Sequence, residues 1–245
     1  NGKKKFHGIN NFFNILKKNN KKIILISNSS QTEQSIIKET LIPLKLNPLL
    51  FDKIICSGKL INKYIKNNYK NQINSILKQK ECYVISNTED KKNINFFNLI
   101  QSNLNKAKFI FAMSLHKKTN IKKINKMLDN ISKFNLPMIC TNPDKFVFDG
   151  DEKNISFQVG YLADLYKKNG GKVFYVGKPY IDIYKEAAKN LKNFNKNRSL
   201  MIGDSIETDM MGAKNFKIKS LLIINGIHRK EIKCSKNLKS FFKSN

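Results

Sequence analysis

The chain has 245 residues, enough for one large α/β domain or for a core with a smaller inserted domain, and its 40% hydrophobic content excludes wholesale disorder. The 46 Lys and Arg residues against 18 Asp and Glu give a formal net charge of +28, yet only Arg198 and Arg229 are arginine. Lysines scattered among Asn and Ile lack the bidentate forks that select phosphates and bases, so the charge predicts salt-dependent background binding and no specific nucleic-acid partner.

Four cysteines (Cys56, Cys82, Cys140, Cys234) lie far apart with no CxxC spacing. Three of them sit inside apolar runs, where free cysteine acts as a small hydrophobe, and a reducing, cytoplasmic setting is expected. His7, His116 and His228 are isolated and make no metal-ligand pattern. No apolar stretch reaches the length of a membrane span and no signal peptide is visible, so no membrane partner is expected.

Strand-like and helix-like segments alternate along nearly the whole chain, which predicts a parallel α/β fold. Ile9 to Lys18 reads as a helix, and Lys22 to Ile26 as a buried strand ending in Ser27-Asn28-Ser29-Ser30. A helix over Gln31 to Leu44, with Thr32 near its cap, leads to a strand at Lys53 to Cys56 and a long helix to about Lys78. A second series has strands at Cys82–Ile85, Phe109–Ala112 and Met138–Cys140, with helices over Asn93–Asn105 and Thr119–Phe134. An irregular stretch follows Thr141-Asn142-Pro143-Asp144, then a helix from about Gln158 to Lys168 that Gly170-Gly171 ends. Strands at Val173–Val176, Leu200–Ile202 and Ser220–Ile224 are separated or followed by helices over Ile181–Leu191, Ile206–Phe216 and Arg229–Phe242.

Two motifs close this series. Val176-Gly177-Lys178-Pro179 and Met201-Ile202-Gly203-Asp204-Ser205-Ile206-Glu207-Thr208-Asp209 each end an apolar run and open a helix. Their polar residues therefore lie at the C-terminal edges of strands, where open α/β sheets bind ligands. Lys178 and Asp204 are 26 positions apart, about one βα unit, whereas Ser27 and Lys178 are 151 apart. That gap predicts an α/β domain inserted over residues 80–171, with the core in two parts, 1–79 and 172–245.

Asp204 at a strand end and Asp209 five residues on aim two carboxylates at one point, which suits Mg²⁺. Read alone, a turn aspartate and a helix-start charge explain them equally well. Lys178, between Gly177 and Pro179, can neutralise phosphate oxygens, although a solvated lysine is the plain account in so lysine-rich a chain. Pro179 suits the first turn of the next helix. The Ser27 hydroxyl, with Asn28 and Ser29, can bind phosphoryl oxygens or form an ordinary Ser/Asn turn. Asn142 and Asp144 are a turn by default and a substrate-facing loop otherwise.

In this order and spacing the residues resemble the haloacid-dehalogenase (HAD) superfamily, in its class IIA, the NagD-like and pyridoxal-phosphatase-like branch. Ser27 matches the second motif, Lys178 the third, and Asp204 with Asp209 the fourth; Thr141–Asp144, Gly170–Pro179 and Asn225-Gly226-Ile227-His228 also look like this branch. The resemblance covers essentially the whole chain. It implies a Rossmannoid core with an α/β cap and a Mg²⁺-dependent phosphatase of small phosphorylated metabolites working through an aspartyl-phosphate. Caps of this type often take part in homodimers. The family's first motif, a strand ending in Asp-x-Asp or a variant, supplies the nucleophile, and no residue here maps onto it, because the resemblance sets that motif just before Asn1. Two other readings stand beside the phosphatase: a truncated or decayed HAD-like protein without catalysis, and a basic nucleic-acid-binding protein.

Overall fold

The computed structural model describes residues 5–66, 71–148, 155–189 and 191–234, which fall into two compact units, Asn1–Gly177 and Lys178–Asn245.

The first unit opens with helix α1 (Ile9–Lys18) and strand β1 (Ile24–Ser27). Helix α2 (Glu33–Ile36) follows, capped by Thr32, whose hydroxyl accepts the Ser35 N–H. It runs on as a π-turn over Ile37–Leu41, where the Ile42 N–H reaches back to the Ile37 carbonyl. The wide turn brings Ile36 and Leu41, five residues apart, into one apolar cluster with Ile54 and Cys56. Strand β2 (Lys53–Cys56) pairs with β1 in parallel, Ser27 opposite Cys56. Phe13 of α1 meets Phe51 edge to face at 5.3 Å.

Helix α3 (Ser57–Lys66) leaves β2 directly. The single helix expected to about Lys78 is interrupted: Asn71 is extended and caps a separate α4 (Gln72–Leu77) by accepting the Asn74 N–H. Residues 67–70 lie outside those described.

The next segments build a five-stranded, wholly parallel sheet. Strand β3 (Glu81–Ile85) leads to helix α5 (Thr88–Lys91), a 3₁₀ turn over Lys92–Phe97, and strand β4 (Ile100–Gln101). The helix predicted over Asn93–Asn105 is thereby corrected. Asn98 takes a left-handed conformation that stops the helical turns, and Ile100 then pairs with Glu81 as an edge strand. Strand β5 (Phe109–Ala112), helix α6 (Ile121–Ser132) and strand β6 (Met138–Cys140) match the predicted elements. The stretch expected to be irregular contains an antiparallel pair, β7 (Phe146–Phe148) and β8 (Ile155–Phe157), whose pattern is too short to register as alternation. Residues 149–154 between them lie outside those described. Helix α7 (Val159–Lys168) and strand β9 (Val173–Tyr175) complete the unit, giving the strand order β4-β3-β5-β6-β9. All four residues of β5 and all three of β6 are buried, as strands covered on both faces require. Leu128, Ile131, Leu162 and Tyr166, from α6 and α7, pack in the same core as Ile110 and Met138.

The second unit holds helix α8 (Ile181–Ala188), strand β10 (Leu200–Gly203), a π-turn over Ile206–Met210 running into α9 (Met211–Phe216), strand β11 (Lys219–Leu222) and α10 (Arg229–Cys234). The part of the last predicted helix beyond Cys234 lies outside the described residues. Strands β10 and β11 pair in parallel, and Tyr184 stacks on Phe216 at 5.6 Å. Pro179 is not at the helix start, since α8 begins at Ile181 with Tyr180 as its cap; it follows a cis peptide bond and its carbonyl accepts from the Asn215 side chain at 3.2 Å. Among the described residues no helix is long and apolar enough to cross a membrane. The α/β class expected from the alternating elements is present, with the Rossmannoid character that the resemblance implies.

Candidate functional site

Within the second unit, Lys178, Asp204 and Asp209 form one hydrogen-bonded group. Lys178 Nζ donates to Asp209 Oδ1 at 2.7 Å, with side-chain exposures of 13% and 4%. A charge-assisted contact this short and this secluded fixes direction more than it adds stability. The other oxygen, Oδ2, accepts the Asp204 and Ser205 backbone N–H groups, both at 3.1 Å. Asp209 thus grips the loop at the end of β10 and aims Lys178 at the same time. The local sequence makes this possible. Ser205 is extended and caps the next turn by accepting the Thr208 N–H, so Asp209 falls one turn later and faces back over the loop. A Cβ on Gly203 would overlap the Asp209 carboxylate, so only glycine ends this strand without pushing that side chain away.

Asp204 is exposed and differently placed. Its Oδ2 accepts the Ile227 N–H at 3.2 Å, and Oδ1 takes no hydrogen bond from the described residues. The Cβ of Asp204 lies where a side chain on Gly226 would have to go. A carboxylate with one oxygen anchored and one outward suits an oxygen-loving cation that keeps most of its ligands as water and substrate. Asp209, expected to share the cation with Asp204, has both oxygens engaged by three donors and so suits orienting Lys178 and the loop. Among the described residues no group of three or more His, Cys, Asp or Glu side chains converges as a metal cage.

In the first unit, Ser27 ends β1 and its Oγ accepts the Ser29 N–H at 3.1 Å, so the hydroxyl proton remains to be given to another acceptor. Ser29 Oγ in turn accepts the Gln31 N–H at 3.1 Å, making a compact Ser turn. Asn28 is buried and donates from Nδ2 to Asp144 Oδ1 at 2.8 Å, across 116 positions of sequence. Asn142 Oδ1 accepts the Asp144 N–H at 3.1 Å, an Asx turn that presents the Asp144 carboxylate. Ser30 Oγ adds bonds to the Met113 carbonyl at 2.9 Å and Thr141 Oγ1 at 2.8 Å. Asn28 and Asp144 are therefore brought together, and Asn142 holds the turn between β6 and β7.

Residue-by-residue reading assigned no role to Ser30 and Thr141, whose pairing spans 111 positions, nor to His228, which accepts the Ile206 N–H at Nε2 at 3.1 Å. For His228 a signal was present in Asn225-Gly226-Ile227-His228, a stretch with the right surroundings and no evident chemistry.

A family model described as haloacid dehalogenase-like hydrolase matches residues 1–99, and one described as HAD-hydrolase-like matches residues 175–239. No curated protein matches the chain. A haloacid dehalogenase-like family hydrolase from Brucella suis 1330 shares the fold with a TM-score of 0.80, at 23% identity over 93% of this chain and 85% of that one. A possible sugar phosphatase of the HAD superfamily from Cytophaga hutchinsonii gives 0.68 at 20% identity, covering 93% of this chain and 83% of that one. NagD from E. coli K-12 gives 0.62 at 16% identity, covering 96% and 88%. With matches at both ends of the chain, this protein belongs to the haloacid dehalogenase-like hydrolases.

Proposed function

We propose that the intact protein is a Mg²⁺-dependent phosphatase of small phosphorylated metabolites. The observation that supports this most is the secluded Lys178–Asp209 pair, whose carboxylate also fixes the loop that presents Asp204. Structural neighbours named as a sugar phosphatase and as NagD point the same way. In this reading Asp204 holds Mg²⁺ through its outward oxygen, and the ion supplies charge neutralisation as phosphoryl oxygens and an attacking carboxylate approach. Lys178 neutralises the transferring oxygens. Asp209 keeps Lys178 aimed. The inserted segment, residues 80–171, serves as the cap that selects substrate, with Asn28, Ser29, Asn142 and Asp144 on the substrate side.

The attacking group is an aspartate that the resemblance places N-terminal to Asn1. Its carboxylate bonds to phosphorus as the alcohol leaves, and water then cleaves the aspartyl-phosphate to release phosphate. The intact protein, given p-nitrophenyl phosphate and a panel of sugar and nucleoside monophosphates with Mg²⁺, should release phosphate and lose activity in EDTA. Intact substrates throughout would defeat the reading, and so would upstream in-frame codons lacking an Asp-x-Asp or a variant at a strand end.

A further inference from the structure

The loop after β10 is held from two sides. Asp209 takes the N–H groups of Asp204 and Ser205, and His228 takes that of Ile206. These amides open a helical segment and have no carbonyl partner within it. The neighbouring residue, Ile227, gives its own N–H to Asp204 Oδ2. One short stretch, Ile227-His228, therefore grips both the side chain and the backbone of the Asp204 loop.

The ring's protonation follows from its partners. A backbone N–H can only donate, so Nε2, 3.1 Å from the Ile206 nitrogen, must present a lone pair. A carboxylate can only accept, so Nδ1, 2.7 Å from Glu231 Oε2, must carry the proton. Glu231 lies three residues on, along the first turn of α10, which fixes the ring's orientation from its own helix.

We propose that His228 is a positioning residue for the Asp204 loop: held as its Nδ1–H tautomer by Glu231, it fixes the Ile206 amide and so the aim of the Asp204 carboxylate. This role rests on the proposed metal-binding function of Asp204. His228 touches no substrate in this account, and its effect passes through the loop.

The test is Mn²⁺ binding by the intact protein, followed by electron paramagnetic resonance, for wild type, His228→Phe and His228→Gln. Phenylalanine keeps a ring and removes the acceptor; glutamine can place an oxygen near the position of Nε2. The expected result is about tenfold weaker Mn²⁺ binding in His228→Phe, the usual scale for an outer-shell partner, with faster hydrogen exchange at the Ile206 amide. His228→Gln should recover affinity to within about twofold of wild type. Nitrogen-15 spectra of the wild-type ring should show the Nδ1–H tautomer, a signature that a merely space-filling ring would not need and that requires no variant to fold. Mn²⁺ binding that His228→Phe retains in full, or an Nε2–H ring in the wild type, overturns the role of His228 alone. Wild-type protein that binds no Mn²⁺ overturns the metal reading and this role with it.

Discussion

The five-stranded sheet and the β10–β11 ladder are both parallel, but they treat their side chains in opposite ways. Every residue of β5 is buried, whereas Leu200 of β10 and Leu221 of β11 are 52% and 49% exposed. The β1–β2 ladder is intermediate, with the β1 residues only half-buried. Yet two of the candidate residues, Ser27 and Asp204, sit at the ends of the two-stranded ladders, while Asn142, Asp144 and Lys178 follow β6 and β9 of the larger sheet. Two-stranded pairing is marginal by itself, so the site loops need other restraints. They have them in side chains that accept backbone N–H groups, two carboxylates, an imidazole and a hydroxyl: Asp209 and His228 on one loop, Asp52 and Ser27 around the other strand. Apolar burial holds the sheet, and polar pins hold the site.

The sharpest way to break this contrast is to remove one pin. Asp209→Asn keeps the volume of the side chain and strands Lys178 without its counter-charge. We expect the intact protein's phosphatase rate to fall by at least about a hundredfold and its stability to fall by about 3 kcal/mol. Phosphate release and a urea melt measure the two effects. A variant with full activity would show that Asp209 does not aim Lys178.

The apolar side of the contrast is tested by a pair of truncations. Phe111 of β5 is fully buried and meets Phe97 edge to face at 5.3 Å, so Phe111→Ala should cost about 3–5 kcal/mol. Leu221→Ala, on the exposed ladder, should cost less than about 1 kcal/mol. Equal losses in urea melts would mean that the two ladders are stabilised alike.

The same contrast explains what could be read from the sequence. Lys178, Asp204 and Asp209 were legible because each lies in a short motif where a strand ends, so the loop geometry is set locally. The alternation of buried strands and amphipathic helices gave the α/β class for the same reason. What was not legible depends on distance. Asn28 meets Asp144, and Ser30 meets Thr141, across more than a hundred residues, and no local pattern encodes either contact. The ends of secondary elements were misjudged where a single conformation decided them. Asn98 turns left-handed and ends the helical run before β4; Asn71 becomes extended and starts α4 afresh. The β7–β8 pair escaped because three-residue strands carry too little alternation to register.

A smaller effect sharpens the account of β1–β2. Burial alone would raise the Asp52 carboxyl, but hydrogen bonds from Lys17, the Ile23 N–H and Lys22 outweigh it and lower it to about 2. A carboxyl depressed in the folded state contributes stability that is fully present above its unfolded value, near 4, and is lost as pH falls through about 2. Asp52→Asn should therefore cost about 1 kcal/mol at neutral pH, and the gap to wild type should close between about pH 4 and pH 2. Melts in that window that keep the gap open would mean that Asp52 pins the ladder by shape and not by charge.

The least disruptive experiment probes the five-stranded sheet through its own thiols. Burial pushes Cys82 of β3 and Cys140 of β6 up to about 12, and the thiolate is the reactive form. At pH 8 about one molecule in ten thousand then carries the thiolate at either position, against roughly a quarter for an ordinary exposed cysteine. Both thiols are also shut off from reagent by the strands and helices around them, so reaction requires local opening of the sheet. Iodoacetamide at pH 8, with each peptide followed by mass spectrometry, should label Cys82 and Cys140 at least about tenfold more slowly in native protein than in urea. Cys56, which burial also raises, is as buried as they are but ends a two-stranded ladder, whose local opening is easier, and should label ahead of them. If Cys82 and Cys140 instead label first, the five-stranded sheet opens more readily than the ladder beside it, and burial is not what distinguishes the two regions.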